Sequence, residues 1–326
     1  MKVYYLPIFC IIKIANSLIV GYDNFDLFNK FIIKFNKVYD NNSEYQKRLS
    51  VFSANLEKIK MHNIDIMQNF TLGINQFTDL TNEEFKNYIG KINLDRFGCK
   101  LFNTSSNNLS NTLDWRNYNV VTPVKNQGQC GSCWAFSATG AIESAWAISR
   151  GQLINLSEQE LVDCATGFKY GGHGCNGGQM NGAFKYVEQY GLCSDAEYPY
   201  TGIESTCNKC NSIEYISECY NVISNDQISL KNAVTISPVS VAIEADTFYF
   251  QSYDGGILDS PDCGTTLDHG VLIVGFGSEN NKDYWLVKNS WGITWGIDGY
   301  VKILKSNSTN DPGICGISMQ PSFPII

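Results

Sequence analysis

The sequence is short of histidine, of basic side chains and of long apolar runs, and each shortage removes a class of function. Lysine and arginine number 24 against 32 acidic residues, a formal charge of −8 with a pI near 5.0. Nucleic-acid binding calls for the opposite balance, so no nucleic-acid partner is expected. Beyond residues 1–21 no apolar stretch approaches the ~20 residues of a membrane-spanning helix. Charged residues make up only 17% and hydrophobic ones 44%, which excludes a disordered acidic chain. Twelve cysteines in 326 residues are too sparse for a mini-protein held by disulfides alone, yet many for a reduced cytosolic enzyme. The length suits two domains, or one domain with a processed segment.

What is present begins with an export signal. In residues 1–21, MKVYYLPIFCIIKIANSLIVG, Lys2 precedes a mostly apolar run, and Ala15 and Ser17 are small residues two apart, as a signal cleavage site requires. Lys13 interrupts the run, which disfavours a membrane anchor. Sequons at Asn41, Asn69, Asn103, Asn108, Asn155 and Asn307 agree with passage through the secretory pathway, toward a lysosome-like compartment or the cell exterior. The polar stretch 103–112 reads as a linker. Residues 22–108 carry 11 basic and 10 acidic residues, whereas 109–326 carry 11 and 22. A near-neutral segment that can come away from an acidic body is one reading of this asymmetry, and compositional drift between two modules the other.

Residues 22–90 have helical periodicity. Phe25, Phe28, Ile32 and Phe35 fall on one face. Glu44, Arg48, Phe52, Asn55, Ile59 and Asn63 form one stripe of a second helix, with Glu44 and Arg48 placed to pair at i,i+4. Gly73, Asn75, Phe77 and Asp79 alternate, predicting a short extended piece. Thr81 and Glu84 then form a capping box for another helix. These two motifs, E-x3-R-x3-F-x2-N-x3-I-x3-N and G-x-N-x-F-x-D, resemble the inhibitory propeptide of cathepsin L-like proteases of the papain family. The resemblance implies that residues 22–108 form a helical cap followed by a segment crossing the substrate cleft in the direction opposite to a substrate.

The chemistry lies beyond the linker. Gln127-Gly-Gln-Cys-Gly-Ser-Cys133-Trp leads into the helical pattern SATGAIESAWAIS, so Cys133 opens a helix, with Ser132 expected to cap it. A helix N-terminus stabilises a thiolate, the form of cysteine that attacks carbonyls, and a neighbouring imidazolium adds to this near neutral pH. C-G-S-C-W is the local signature of the papain family, which places a histidine and an asparagine roughly 130–150 residues downstream. His269 lies 136 residues on and Asn289 lies 156 on. Only three histidines exist, the others being His62 in the helical stripe region and His173 in a glycine-rich turn. A redox dithiol Cys130-x-x-Cys133 would leave Gln127, His269 and Asn289 unexplained.

By resemblance, Cys133 is the nucleophile, His269 the acid–base partner and Asn289 the group that orients its ring. Gln127 then donates to the oxyanion, and Trp291 shields the His269–Asn289 hydrogen bond. The resemblance implies disulfides Cys130–Cys175, Cys164–Cys207 and Cys263–Cys315. Cys10 falls in the leader and Cys99 in the propeptide, leaving Cys193, Cys210 and Cys219, an odd set in which Cys193–Cys210 is one candidate bridge. Cys207-x-x-Cys210 lacks the second ligand pair of a zinc site, and no metal or cofactor is expected. Gly177 and Gly178 resemble the cleft edge that pairs with an extended substrate. Met180, Ala242, Leu267, Gly270 and Gln320 align with the S2 pocket. This implies a bulky apolar P2 side chain, with Gln320 open to a polar or basic one.

The implied fold is α+β: a helical lobe with Cys133 and an antiparallel, barrel-like β lobe with His269 and Asn289, preceded by a helical propeptide. The implied protein is a monomeric endopeptidase zymogen. Its partners are protein and peptide substrates, its own propeptide and cystatin-like inhibitors. No His-His pair resembles the occluding loop of cathepsin B. The terminus PSFPII falls near the family's own end, so no further domain is expected. Activation at acidic pH is expected, through protonation of carboxylates such as Asp79. The rival readings are a catalytically dead relative and a transglutaminase-like acyl transferase. The first commonly loses the nucleophile; the second commonly uses an aspartate as third member.

Overall fold

The structure is a computed structural model that describes residues 24–92, 98–103, 110–208, 210–213 and 215–326. The expected export signal at 1–21, Cys10 and the Asn108 sequon lie outside the described residues.

Helix α1 (24–34) packs across α2 (Asn42–Asn63). Their joint core is Phe28, Phe31, Phe52 and Leu56, with ring centroids of Phe28 and Phe31 at 5.2 and 5.0 Å from Phe52. The buried face of α1 is therefore centred on Phe28 and Phe31, while Phe25 is 43% exposed. The i,i+3 pair faces α2, and Phe25 lies off that seam. On α2, Arg48 approaches Glu44 at 3.6 Å and bonds Glu84 at 2.7 Å. Asn55 donates to the carbonyls of Thr78 and Leu80, and Asn63 exchanges two hydrogen bonds with Leu72. The stripe's polar members thus clamp the segment that follows.

That segment opens with β1 (Phe70–Leu72). Residues 76–79 then form a turn instead of the expected extended piece. Asn75 is the cause: its side chain accepts from Phe77 N at 2.9 Å, and its carbonyl accepts from Thr78 N at 3.1 Å. Asn75, Phe77 and Asp79 are all buried, so the alternation records three inward side chains of a turn. Thr81 and Glu84 form the complete capping box of the short α3 (Asn82–Phe85).

The body has two clusters. In the helical one, α4 (Cys133–Arg150) is buried on nearly every side, flanked by α5 (Glu158–Cys164) and α6 (Met180–Tyr190). A helix buried on nearly every side is central to its lobe. Gly140 lets it lie against Leu272, where an added Cβ would stand 3.0 Å from the leucine side chain. The other cluster is built on a sheet. In chain order, the segment before the linker supplies β1, β2 (Lys91–Ile92) and β3 (Lys100–Leu101), and β4 (Leu113–Asp114) follows directly after the linker. The body supplies β5 (Gly177–Gly178), β6 (Glu218–Asn221), β7 (Val239–Ile243) and β8 (Tyr253–Leu258). It continues with β9 (His269–Glu279), β10 (Lys282–Lys288), β11 (Tyr300–Leu304) and β12 (Ser322–Ile325). Two short helices, α7 (Gln227–Val234) and α8 (Phe248–Gln251), complete the lobe.

The strand path is β1-β8-β11-β10-β9-β7-β12-β6-β3, open at both ends, with β4 beside β9, while β2 and β5 stand apart as a separate two-stranded sheet. Most pairs are antiparallel, but β8–β11 and β3–β6 are parallel, so the β lobe is a mixed open sheet. Both end strands come from the propeptide region, which covers both edges of the sheet.

Disulfides Cys130–Cys175, Cys164–Cys207 and Cys263–Cys315 are present, as is Cys193–Cys210. A fifth, Cys99–Cys219, was not foreseen. Among the described residues Cys133 is the free cysteine.

Candidate active site

The two lobes meet where α4 begins and β9 begins. Cys133 is the first residue of α4, fully buried. Ser132 stands at the cap position, but its hydroxyl does not cap the helix; it lies 2.7 Å from Tyr200 Oη. Tyr200 Oη also donates to the Gln127 carbonyl at 2.8 Å. A tyrosine 68 residues away thus ties together the two ends of the loop before Cys133.

His269 is the first residue of β9, held in register opposite Ile243 of β7. Its Nε2 is 2.8 Å from Asn289 Oδ1. That oxygen also accepts from Ser290 N at 2.8 Å, so Oδ1 is an acceptor and Nε2 carries the proton. Nδ1 is left as the basic nitrogen, buried and without a hydrogen bond among the described residues. Trp291 stacks on the imidazole at 4.6 Å and 28°, walling it from solvent. Gln127 is fully buried; its Oε1 accepts from Ser290 Oγ at 2.6 Å, which fixes the amide and aims Nε2 at the cleft.

The cleft is filled by the propeptide. Gln127 Nε2 donates to the Tyr88 carbonyl at 3.1 Å and to the Cys130 carbonyl at 3.0 Å. Gly90 lies over Cys133: a Cβ there would fall 2.4 Å from Gly131 O and 3.3 Å from Cys133 Sγ. Strand β2 pairs with β5 in parallel, Lys91 with Gly177 and Ile92 with Gly178. Gly177 sits at φ +114°, with Lys91 O 2.1 Å from where its Cβ would be. Ile92 joins the apolar cluster that contains Met180, Ala242 and, at its margin, Leu267. Gly270 packs on the α4 backbone, and Gln320 is half-buried just before β12. On the far side of Trp291, Phe77 and Phe85 each make an edge contact at 5.3 Å.

This cover changes the electrostatics expected from sequence. Burial pushes the Cys133 thiol up to about 11, although the backbone amides of Gly270, Gly90 and Trp134 pull the other way. Burial also pulls His269 down to about 4, against the opposing hydrogen bond to Asn289. Between those values both groups are neutral. The thiolate–imidazolium pair is therefore suppressed beneath the propeptide, because two charges in a dry cleft lose their hydration.

Residues that the sequence reading missed support the site from behind. Lys125 Nζ lies 2.8 Å from Glu143 and 2.6 Å from Glu158. Thr122 Oγ1 donates to Glu143 at 2.5 Å and accepts from Lys288 Nζ at 3.0 Å. Lys288 immediately precedes Asn289, so this buried network anchors the asparagine. Burial raises Glu158 to about 7 and lowers Lys288 to about 8. Nothing in the spacing of these five residues marks them out; only the fold joins them.

Residues 109–325 match the model of the papain family cysteine proteases, and residues 28–85 match the cathepsin propeptide inhibitor domain (I29). The chain belongs to the papain family of cysteine proteases. This protease is 41% identical over 310 residues to the cysteine proteinase RD21A of Arabidopsis thaliana, covering 92% of the present chain and 66% of that relative. It is 41% identical over 304 residues to the senescence-specific cysteine protease SAG39 of Oryza sativa subsp. indica, covering 90% and 88%. Among solved structures, the recombinant stem bromelain precursor matches with a TM-score of 0.86 at 36% identity, covering 93% and 99%. Digestive procathepsin L 3 of the Tenebrio molitor larval midgut matches with a TM-score of 0.85 at 39% identity, covering 93% and 99%. The protease is thus a zymogen carrying its own inhibitor domain.

Proposed function

We propose that the protein is a cysteine endopeptidase that hydrolyses peptide bonds through Cys133, His269 and Asn289, and that removal of residues 22–108 from the peptidase domain 109–326 opens it. The observation that carries this is the occupant of the cleft. A propeptide carbonyl rests on Gln127 Nε2 while the propeptide backbone covers the sulfur. A substrate carbonyl seated there would meet nucleophile and oxyanion donor together.

In this reading, once the cleft is open, Cys133 gives its proton to His269 Nδ1 and the thiolate Sγ attacks the carbonyl carbon. Gln127 Nε2 and the Cys133 backbone N–H take the charge that develops on oxygen. His269 protonates the leaving amine, freeing the new N-terminus and leaving a thioester on Cys133. The neutral imidazole then takes a proton from water, which attacks the thioester and releases the acid. Asn289 keeps Nε2–H engaged, so Nδ1 is the atom that works. The Trp291 ring keeps water from that hydrogen bond.

A substrate running antiparallel to β5 would present its P2 side chain where Ile92 now sits. Met180, Ala242 and Leu267 favour leucine, valine or phenylalanine there, and Gln320 tolerates arginine. Arginine wholly inactive in a P2-scanning library removes the Gln320 part.

Opening follows acidification. Lys37 and Tyr39 bond the Asp79 carboxylate at 2.8 and 2.9 Å, and the Lys47–Arg48–Glu84 contacts hold the cap together. Five disulfides support passage through an oxidising secretory route, with the signal at 1–21. A monomer with cystatin-like proteins as external inhibitors fits a cleft that an extended chain can fill.

The test is labelling of the acid-activated protein with an epoxysuccinyl inhibitor, followed by a peptide-cleavage assay. The reading requires stoichiometric label on Cys133 and loss of cleavage together. Cleavage that persists in the Cys133→Ala variant rejects it.

A further inference from the structure

The fifth disulfide joins the two halves of the zymogen. Cys99 lies between the residues matched by the inhibitor-domain model and those matched by the peptidase model. Its partner Cys219 is in β6, in the body. Parity agrees: ten cysteines follow residue 108 and one of them is the free Cys133, so an odd nine remain and they cannot all pair within the peptidase domain.

The chain around Cys99 behaves as part of the body. Lys100 and Leu101 form β3, in parallel register with Tyr220 and Asn221. Phe102 N donates to Asn221 O at 2.8 Å, and Asn221 Nδ2 donates back to Cys99 O at 3.3 Å. Lys100 pairs with Glu218. Phe102 is 7% exposed and packs edge-on against Phe323 of β12 at 5.2 Å. None of these contacts touches the cleft, whereas Tyr88, Gly90 and Ile92 all do.

Covalent connectivity then decides what each cut can release. A cut after Phe102 leaves the whole inhibitor bonded to the body through Cys99. Only a cut on the N-terminal side of Cys99 sets the cleft-filling part free. We propose that Cys219 is a covalent attachment site for a propeptide remnant: the activated protease is a two-chain molecule in which the segment around Cys99 stays as the edge strand of the sheet. The inhibitory part leaves by a cut before Cys99 or by reduction of the bridge. Reduction takes two thiols, or one dithiol, which become a disulfide as Cys99 and Cys219 return as thiols. Cys219 is 1% exposed within an apolar cluster, a poor setting for a leaving thiolate, so the bridge outlasts mild reductant while β3 is in place. The proposal rests on the zymogen reading above.

Two arms test it on the full proprotein. In the first, folded zymogen and its Cys133→Ala variant are trimmed with trace pepsin at acid pH without thiol, alkylated with N-ethylmaleimide, and weighed intact before and after reduction. Pepsin makes this arm independent of the protein's own activity. The expected product loses a Cys99-containing peptide only on reduction. Alkylation of Cys219 without reduction, or release of the Cys99 peptide without reduction, overturns the proposal.

In the second arm a specific protease site replaces residues 104–109. Once cut there, the protein should stay latent until a dithiol is added. A tether gives a millimolar effective concentration, so a micromolar inhibitor holds activity down ~10³-fold. The Cys99→Ser/Cys219→Ser variant should lose latency on cutting and dilution alone. Equal activity of both proteins after the cut, without reductant, overturns the proposal. If neither cleaves peptide even when cut and reduced, the protease reading fails, and the mass arm still decides the bridge.

Discussion

Gly90→Ala isolates the contact that keeps the cleft shut. The backbone at Gly90 is one any residue can adopt, so the effect is steric. The new methyl would stand 2.4 Å from Gly131 O, a backbone atom that cannot swing aside. Gly131 has no slack either, since its own Cβ position is 2.5 Å from Cys175 O and 2.9 Å from Gly90 Cα. The propeptide must lift, weakening the Tyr88–Gln127 hydrogen bond next to it. Overpacking of this kind costs ~1–3 kcal/mol, and at 1.4 kcal/mol per decade the open fraction rises roughly 5- to 150-fold. The assay is the rate at which an epoxysuccinyl inhibitor labels Cys133 in intact zymogen at pH 7, because only open molecules react. Ile66→Ser, at a 95% exposed propeptide position, is the control and should leave the rate unchanged. A Gly90→Ala rate within twofold of the unsubstituted zymogen refutes the claim that Gly90 seals the nucleophile.

Three further outcomes follow from the charges. Burial raises the Glu84 carboxyl, but hydrogen bonds from Lys47, Thr81 N–H and Arg48 outweigh it and hold it near 2. A depressed carboxylate stabilises the cap above about pH 4.5 and loses that contribution as pH falls toward 2. Glu84→Gln should therefore raise labelling at pH 7 and flatten its rise between pH 5 and 3; an unchanged profile counts against the acid trigger. The Cys133 thiol, raised to about 11 under the propeptide, should react with iodoacetamide far faster at pH 6 once the propeptide is gone, and equal rates would contradict its suppression. Lys125→Met strands Glu143 and Glu158 in the interior and should destabilise the fold by ~3–5 kcal/mol in urea melts; a loss below ~1 kcal/mol would show the network to be solvated.

What sequence reveals here is local pattern, and what it hides is the partner. The α2 stripe and the Thr81–Glu84 box are readable because helical spacing and capping are rules over a few residues. That Asn55 would clamp Thr78 and Leu80 could not be read, since the contact depends on how two elements cross. Ser132 is misread as a cap for a related reason: the cap rule is local, and Tyr200 outbids it from 68 residues away. In residues 73–79 a two-residue period suggests a strand, yet the Asn75 side chain replaces a backbone partner and makes a turn. Cysteine parity flags an odd thiol but cannot say that the bridge crosses the linker. The charge state of Cys133 and His269 was predicted for an open cleft, whereas in the zymogen the chain's own backbone supplies the dry wall.

The central claim is that acyl transfer passes through the Cys133 sulfur, and the most direct measurement is the mass of the intermediate. Activated protein is mixed with an activated peptide ester, quenched in acid during turnover and mapped. The account predicts one acyl group per molecule, as a thioester on Cys133, and none in the Cys133→Ala variant. An acyl group on any other residue, or turnover without an acylated cysteine in a variant lacking Cys133, contradicts it.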